Sequence, residues 1–309
     1  MTTLVLTHPA SLDHLMPLGH PERPDRIRAI DEVLAEDRFK SLARGEAPEG
    51  SLDSVALCHN EHYIGELRHR SPAEGLVYLD SDTSMSPGTW EAVMRGVGGA
   101  IAATEAVIAG NASNAFVATR PPGHHAETGR AMGFCFFDQA AIAARHAQRK
   151  HGIGRVAVVD FDVHHGNGTQ DIFWADRTVM YCSTHQMPLF PGSGASGERG
   201  DHDTIVNAPL ASGDGGAKFR SAFENLILPR LETFAPELLV ISAGFDAHSR
   251  DPLASLNLDA DDFGWVTRKL MDIADATAGG RIVSVLEGGY NLQGLQESVA
   301  AHVTALMGA

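Results

Sequence analysis

The segment VAVVDFDVHHGNGTQ, residues 156–170, begins like a buried strand and ends in a dense group of polar side chains. Carboxylates and imidazoles buried at a strand end cost stability unless something compensates, and a metal ion is the usual compensation. Asp162 and His164 are two positions apart, so their side chains point the same way in an extended segment. Asp246, after another apolar run, could complete a three-ligand site. One imidazole and two carboxylates suit zinc or ferrous iron and leave positions open for water and substrate.

Two adjacent histidines, His124 and His125 in RPPGHHAETG, are candidates for proton transfer. Histidine is the side chain whose ordinary pKa lies near neutral pH. The nearby glycines and the Pro-Pro pair indicate a rigid loop that holds a geometry. The alternatives are that both histidines are metal ligands, or that they are a chance pair in a chain with 16 histidines.

Other side chains could support such chemistry. Asp160 and Asn167 could orient the imidazoles. Tyr290, behind a Gly-Gly pair, could donate a hydrogen bond to a developing oxyanion. Phe134 and Phe190 lie in glycine-flanked loops and could form the walls of a narrow channel for an aliphatic chain. Ordinary packing is the alternative for these three aromatic residues.

The elements that must position these residues alternate between strands and helices. Six β-rich runs span 3–8, 114–120, 156–161, 178–183, 238–245 and 281–289. Most of them are continuously apolar, which is typical of strands buried on both faces of a parallel sheet. Helical patterns lie between them at 91–110, 138–152, 219–234 and 261–276. This alternation predicts an α/β fold with a mainly parallel sheet. Loops are expected at 9–25, 185–204 and 246–258.

Four polar clusters each follow a predicted strand: RPPGHHAE, DVHHGN, DAHSRDP and GGYN. The carboxyl ends of parallel strands meet at one edge of the sheet, where ligands bind in open α/β folds. We therefore expect the four clusters to converge on one site. That convergence favours a metal over the alternative that Asp162, His164 and Asp246 only cap loops and helices.

Composition limits the classes of protein to consider. The 309 residues are 43% hydrophobic and 20% charged, which fits one domain with a large core. No apolar run approaches the roughly 20 residues of a membrane span, and the N-terminus lacks signal-peptide features. Three scattered cysteines favour a reducing, cytoplasmic setting. A net charge of −15 argues against a nucleic-acid surface and favours cationic partners, or serves solubility alone.

The motifs RPPGHHAE, GFCFF, VVDFDVHHGNGTQDIF, FPGSG, SAGFDAH, DPL and LEGGYNL, in that order, resemble the zinc-dependent histone deacetylase family. The match is closest to its class II branch and to bacterial histone deacetylase-like amidohydrolases. It runs from about His20 to Leu292. The resemblance implies an arginase/deacetylase-like fold, with a central, mainly parallel eight-stranded sheet flanked by helices, as one catalytic domain over residues 1–309. It also implies hydrolysis of acyl-lysine amides by a metal-activated water.

The resemblance also implies roles for individual residues. The zinc ligands would be Asp162, His164 and Asp246. The catalytic residues would be the general base and acid His125, its neighbour His124 with partner Asp160, the class II residue Asn167, and the oxyanion-stabilising Tyr290. The substrate tunnel would be formed by Gly133, Phe134, Phe190, Leu253 and the rim residue Asp82, with Arg26 beneath the site. A structural potassium ion would be held by side-chain oxygens of Asp160 and Ser183 and by carbonyls of Asp162, His164 and Thr184.

Alternative functions remain open on sequence grounds. The partner would be an acyl-lysine protein or peptide, or a small acylated amine, with no membrane and no nucleic acid involved. An acetylpolyamine amidohydrolase is expected to carry an acid near the DP motif, where this chain has Leu253, yet the overall acidity keeps that reading open. An arginase-type enzyme would need further ligands for two manganese ions. A binding protein without catalysis would be expected to lack Tyr290, His125 or a metal ligand. The oligomeric state is open.

Overall fold

A computed structural model of the chain describes residues 1–308. In chain order the strands are β1 (Thr3–Thr7), β2 (Ala43–Glu46), β3 (Val77–Tyr78), β4 (Ser84–Met85), β5 (Asn114–Val117), β6 (Val156–Asp160), β7 (Val179–Gln186), β8 (Ile205–Leu210), β9 (Leu238–Ala243) and β10 (Ile282–Leu286). Eight of them form one parallel sheet in the order β2-β1-β5-β10-β9-β6-β7-β8, and β3 pairs with β4 in a small antiparallel ribbon.

Helices cover both faces of this sheet. They are α1 (Asp25–Leu34), α2 (Leu52–Val55), α3 (Glu61–Arg70), α4 (Thr89–Ile108), α5 (Gln139–His151), α6 (Asn167–Phe173), α7 (Gly216–Ala222), α8 (Leu228–Phe234), α9 (Ala260–Thr277) and α10 (Leu292–Leu306). Short 3-10 turns lie at Pro9–Leu12 and Asp37–Phe39. In residues 1–308, no helix has both the length and the apolar character needed to cross a membrane.

The four central strands β5, β10, β9 and β6 are buried along their whole length. Their apolar residues pack into two cores, one on each face of the sheet. Phe161, Phe245 and Phe263 lie in one core, and Val97 and Phe137 lie in the other. Burial on both faces explains why these strands show no alternation of polar and apolar residues in the sequence.

Helix termini place several loops of the site. Asp138 begins α5 by accepting the backbone N–H of Ala141 at 2.8 Å. Gly152 ends the same helix in the left-handed region, with φ of 68°. Asn291 caps α10 by accepting the N–H of Gly294 at 2.9 Å. This cap directly follows Tyr290 and sets the start of α10 at Leu292, so it helps to define the turn that carries the tyrosine.

The predicted α/β class and the eight-stranded parallel sheet are confirmed, but the element boundaries differ. Strands β2 and β8 at the sheet edges were not predicted, because β2 has the polar sequence ARGE with alternating exposure and β8 contains proline. The strand predicted over 281–289 ends at Leu286. Gly289, three residues later, has a φ of 122°, which is outside the range of a strand. β7 extends to Gln186, so the loop expected from residue 185 begins later.

The helix predicted over 219–234 is interrupted. Phe223–Ile227 forms a π turn between α7 and α8. Pro229 follows this turn in the first turn of α8. Proline has no N–H to donate into the helical ladder, so a local change of hydrogen bonding near it is expected.

Candidate active site

The predicted polar clusters meet at one edge of the sheet. Strands β5, β10, β9 and β6 are direct neighbours, and the loops after their carboxyl ends carry the residues singled out from the sequence. Those residues are His124 and His125 after β5, Tyr290 after β10, Asp246 after β9, and Asp162 and His164 after β6. The convergence follows from the parallel topology.

Asp162, His164 and Asp246 form a buried group of possible metal ligands. One ligand atom from each lies within 4.8 Å of the other two. His164 Nδ1 is 3.1 Å from Asp162 Oδ1 and 3.1 Å from Asp246 Oδ2. β6 ends at Asp160, so strand alternation does not bring them together. Instead the chain bends, and Asp162 Oδ1 accepts the backbone N–H of His164 at 2.8 Å.

The remaining carboxylate oxygens of this group are held by the backbone. Asp162 Oδ2 accepts the N–H of Gly288 at 2.8 Å, and Asp246 Oδ1 accepts the N–H of Val163 at 2.8 Å. A Cβ at Gly288 would lie 2.1 Å from Asp246 Oδ2, and one at Gly244 would lie 2.0 Å from Asp162 Oδ2. The two carboxylates therefore fit only because both neighbouring positions are glycine.

The charges of this group call for a cation. Burial, followed by the charge of Asp162, raises the pKa of the Asp246 carboxyl to about 7. Burial would lower the pKa of His164, but hydrogen bonds to Asp162 and Asp246 outweigh it and raise that pKa to about 10. Without a metal ion, the negative charge of the two buried carboxylates is therefore balanced only by protons that Asp246 and His164 retain. Two carboxylates and one imidazole in this arrangement fit Zn²⁺ or Fe²⁺, with positions left for water and substrate.

His125 has its two ring nitrogens in different surroundings. His125 Nδ1 lies 2.8 Å from Asn167 Oδ1. Asn167 Nδ2 donates to Glu127 Oε1 at 2.8 Å, which orients the amide so that its oxygen faces the ring. His125 therefore carries its proton on Nδ1. Burial, with the charges of His124 and His164, lowers the pKa of His125 well below its ordinary value, so the ring is neutral.

His124 lies beside it in the opposite electrostatic setting. The two histidine ring centroids are 4.0 Å apart. His124 Nδ1 lies 2.9 Å from Asp160 Oδ2. Burial would lower the pKa of His124, but the carboxylates of Asp160, Asp162 and Glu287 outweigh it and raise that pKa well above its ordinary value. The pair therefore combines a cationic ring with a neutral one.

Tyr290 is anchored through its backbone and its ring face. Asp251 Oδ2 accepts the backbone N–H groups of Tyr290 at 2.7 Å and of Asn291 at 3.2 Å. The Arg26 guanidinium lies over the Tyr290 ring, 4.9 Å from its centroid, and donates to the carbonyl oxygen of Gly289 at 2.6 Å. Burial raises the pKa of the Tyr290 phenol well above its ordinary value, which keeps the hydroxyl a hydrogen-bond donor.

A pocket of about 230 Å³ opens onto these groups. It is lined by Asp82, His125, Gly133, Phe134, His164, Leu189, Phe190, Leu253 and Tyr290. Phe190 packs edge-on against His125, with centroids 5.1 Å apart, and Phe134 packs edge-on against Tyr290 at 5.8 Å. Gly133 has φ of 57°, and a Cβ there would lie 2.5 Å from His125 Cδ2. Any side chain at position 133 would push against the His125 ring, so glycine allows the pocket wall to lie directly beside this histidine.

The residues expected to hold potassium lie behind the site. Asp160 and Ser183 are paired across β6 and β7. Asp160 Oδ1 accepts the N–H of Asp162 at 3.0 Å, and Ser183 Oγ lies 2.8 Å from His185 Nδ1. Thr184 is buried beside them. Potassium binding there stays a prediction.

Two buried acids that support the site were not predicted from the sequence. Glu287 Oε2 accepts the N–H groups of Gly123 at 2.7 Å and of His124 at 3.2 Å, and burial raises the pKa of its carboxyl to about 8. Asp251 holds the Tyr290 turn. Glu287 lies in the motif LEGGYN and Asp251 in the motif DPL. The motifs show that an acid is present, but nothing in them indicates which backbone N–H groups it accepts.

Of the buried ion-pair cluster beneath the site, the sequence predicted only Arg26 and not its partners Glu22 and Arg120. Glu22 Oε1 accepts from Arg120 Nε at 2.6 Å and from Arg26 Nη1 at 3.2 Å. All three side chains are fully buried. Their sequence signal is the charged run in GHPERPDRIR together with the arginine of TRPPG, which lie about a hundred residues apart. Only the fold brings them together.

Sequence comparison matches residues 20–306 to the family described as histone deacetylase domain. A similar protein is "Histone deacetylase 10, chloroplastic" of Oryza sativa subsp. japonica, 38% identical over 94% of this chain and 70% of that one. Another is the "Histone deacetylase-like amidohydrolase" of Pseudomonas aeruginosa, 41% identical over 88% of this chain and 73% of that one. Because one of these relatives is named chloroplastic, family membership does not identify a compartment.

Structure comparison gives the same result for the fold. The chain is similar to the crystal structure of the HDA15 HD domain, with a TM-score of 0.94 and 34% identity. The match covers 100% of this chain and 89% of that one.

Proposed function

Because this chain belongs to the histone deacetylase family, we propose that it is a zinc-dependent amidohydrolase that removes acetyl or other acyl groups from the ε-amine of lysine. The single observation that carries this proposal is the meeting of three kinds of group on one pocket. Asp162, His164 and Asp246 supply metal ligands, His125 supplies a neutral imidazole, and Tyr290 supplies a protonated phenol.

The metal would be held by Asp162, His164 and Asp246, which the family resemblance also assigns to zinc. When bound, zinc supplies Lewis acidity, which lowers the pKa of a water molecule and polarises an amide carbonyl. The three buried side chains supply the matching negative charge, and their backbone hydrogen bonds hold them in place.

Proton transfer is assigned to His125. Since Asn167 holds the proton on Nδ1, the Nε2 lone pair is free to take a proton from the attacking water. The same nitrogen then gives this proton to the leaving amine, so the ring ends the cycle neutral. The cationic His124 beside it lowers the basicity of His125 and favours that second transfer.

Tyr290 is assigned to the oxyanion. The carbonyl oxygen gains negative charge as water attacks, and a fixed phenol O–H stabilises that charge more in the transition state than in the substrate. Its backbone is held by Asp251 and its ring by Arg26, so little reorganisation is needed during the reaction.

The substrate would enter between aromatic walls. Phe134 and Phe190 would grip the aliphatic part of an acyl-lysine side chain, and Gly133 would lie along it. Asp82 would contact the substrate backbone at the rim. Leu253 lines the same pocket and offers no charge to a polyamine, which favours acyl-lysine over the alternative, an acetylpolyamine.

Three further points complete the proposal. Residues 1–309 would form one catalytic domain.

A potassium ion would stabilise the end of β6. Side-chain oxygens of Asp160 and Ser183 would bind it, together with the carbonyl oxygens of Asp162, His164 and Thr184. The cytoplasm is the proposed setting, since the three cysteines are free and buried.

Acetate release from an ε-acetyl-lysine peptide tests the proposal. The zinc-loaded protein should release acetate, and Asp246→Ala should abolish both release and zinc binding at this site. Equal release by the variant would contradict the assignment.

A further inference from the structure

Helices α4 and α5 carry a second group of possible metal ligands, which shares no residue with the active site. Glu105 lies in the last turns of α4, and His146 and His151 lie in the second half of α5. His146 Nε2 is 2.6 Å from Glu105 Oε1, and His151 Nε2 is 2.9 Å from the same oxygen. One ligand atom from each residue lies within 4.8 Å of the other two.

The geometry is close to that of a metal site. Both imidazoles direct the same nitrogen, Nε2, toward one carboxylate, and their ring centroids are 5.7 Å apart. Nitrogen and oxygen ligands lie about 2.0–2.2 Å from zinc, which places tetrahedral neighbours about 3.4 Å from each other. A neutral imidazole frees its Nε2 lone pair by carrying its proton on Nδ1. Modest side-chain rotation would therefore convert the hydrogen-bonded group into three ligands around one ion.

We propose that Glu105, His146 and His151 form a second metal site, which binds a late first-row divalent cation such as Zn²⁺ and joins α4 to α5. Two imidazole nitrogens and one carboxylate oxygen occupy three positions, and water occupies the fourth. This inference does not depend on the catalytic assignment.

The surroundings favour a cation. The Glu105 carboxylate supplies negative charge, and its Oε1 is the atom that both imidazole nitrogens face. The nearby Arg145 does not compete for it, because its guanidinium pairs with Asp176 and lies over the Phe173 ring, 4.8 Å from the centroid.

The group is also accessible. The side chains of Glu105, His146 and His151 are 43%, 14% and 23% exposed. Glu105 borders a surface groove of about 630 Å³ that also contains Glu49 and Asn111. An ion can therefore enter from solvent and meet further oxygen atoms on the way.

A metal here would brace the fold. α4 and α5 pack against each other on one face of the sheet, and α5 leads directly into β6, whose end carries Asp162 and His164. An ion that binds only the folded arrangement stabilises it by mass action. At zinc concentrations 100-fold above Kd, the expected rise in Tm is roughly 5 °C.

Zinc stoichiometry tests the site. The whole chain would be equilibrated with zinc at a buffered micromolar free concentration, and bound zinc would be counted by elemental analysis. Wild type should bind one more zinc per chain than the His146→Gln/His151→Gln variant. Removal of two direct ligands should weaken this site by more than roughly 100-fold, since loss of an outer partner alone costs 10–100-fold.

The matched control is His62→Gln/His69→Gln, which removes two exposed histidines seven positions apart on α3. It should bind as much zinc as wild type, and Glu105→Gln should bind less. Equal zinc in wild type and the His146→Gln/His151→Gln variant would overturn the proposal. If the catalytic site failed to bind zinc, both proteins would lose one equivalent and the difference between them would remain.

Discussion

The amide of Asn167 determines which nitrogen of His125 carries its proton and which has a free lone pair. Asn167 Oδ1 accepts from His125 Nδ1 at 2.8 Å, while Asn167 Nδ2 is committed to Glu127 Oε1 at 2.8 Å. The amide cannot turn over without facing its oxygen toward a carboxylate. His125 Nε2 is therefore left with its lone pair toward the pocket. A neutral amide achieves this without adding charge beside the histidine.

Replacing Asn167 tests that arrangement. In Asn167→Ala the proton of His125 is no longer held on Nδ1, so we expect kcat to fall by about 100-fold, the lower range of general acid–base contributions. Asn167→Asp restores the acceptor for His125 Nδ1 but sets its second oxygen against Glu127 Oε1, so it should recover only part of the activity. Steady-state kinetics of the zinc-loaded variants would measure both. Equal activity in Asn167→Ala and wild type would remove Asn167 from the mechanism.

The phenol of Tyr290 should matter for chemistry and not for metal binding. Tyr290→Phe removes one hydrogen-bond donor to the oxyanion, so turnover should fall by about 100-fold or more. Zinc content should stay unchanged, because Tyr290 is not among the three proposed ligands. Tyr78→Phe, at a side chain that is 55% exposed, is the control. Turnover near the wild-type value in Tyr290→Phe would show that another group stabilises the oxyanion.

Leu253 should influence the choice between substrates. Leu253→Glu places a carboxylate on the pocket wall, where it would attract the charged amines of an acetylated polyamine. We expect the ratio of kcat/KM for polyamine over acetyl-lysine peptide to rise about tenfold, which corresponds to about 1.4 kcal/mol. Leu226→Glu, at an exposed position of the π turn, controls for net charge. An unchanged ratio would mean that position 253 does not meet the substrate's distal end.

Zinc removal should destabilise the protein as well as inactivate it. Asp162 and Asp246 are buried carboxylates in contact with the same imidazole, and without a metal ion their charge is balanced by protons on Asp246 and His164. In the His146→Gln/His151→Gln background, which isolates this site, zinc at 100-fold above Kd should add about 2.7 kcal/mol to the unfolding free energy. Thermal unfolding with and without a chelator measures this. An unchanged Tm would argue that the triad does not bind zinc.

His302 should make the protein sensitive to acid. It lies between Thr267 Oγ1 at 2.7 Å and Ser284 Oγ at 2.9 Å, and burial lowers its pKa from 6.5 to about 3. Because the folded pKa is below the unfolded value, the stability it contributes is present above pH 6.5 and is lost as pH falls toward 3. At pH 5 the loss amounts to about 2 kcal/mol.

His302→Gln removes this titration, so its unfolding free energy should depend less steeply on pH than that of wild type. Urea unfolding at several pH values would show the difference. His202→Gln, at an exposed residue, should follow the wild-type curve. Parallel curves for wild type and His302→Gln would contradict the assignment of a depressed pKa.

Much of the fold was predictable because local patterns and parallel topology agree. The apolar runs at β5, β6, β9 and β10 predict buried strands, and the parallel arrangement then brings the polar ends of these strands together. The edge strand β2 was not predictable in the same way. Its sequence ARGE lacks a strand pattern, and its pairing with β1 determines its conformation.

The contacts that orient the site were less accessible from the sequence. Glu287 serves by accepting N–H groups from a loop 163 and 164 residues away, and no pattern around Glu287 indicates that partner. The same holds for Glu22 and Arg120, which are 98 residues apart. Residue types were sufficient to nominate Asp162, His164 and Asp246 as metal ligands, but the bend that unites them forms after the strand has ended.

The most direct test of the central claim is kcat/KM of the zinc-loaded protein on an ε-acetyl-lysine peptide and on an acetylated polyamine, measured side by side. His125, His164 and Tyr290 line one pocket with an apolar residue at position 253, and His164 contacts the buried Asp162 and Asp246. We therefore expect hydrolysis of both amides with a clear preference for the peptide. Preference for the polyamine would contradict the substrate assignment, and hydrolysis of neither by protein with zinc bound would contradict the proposed activity.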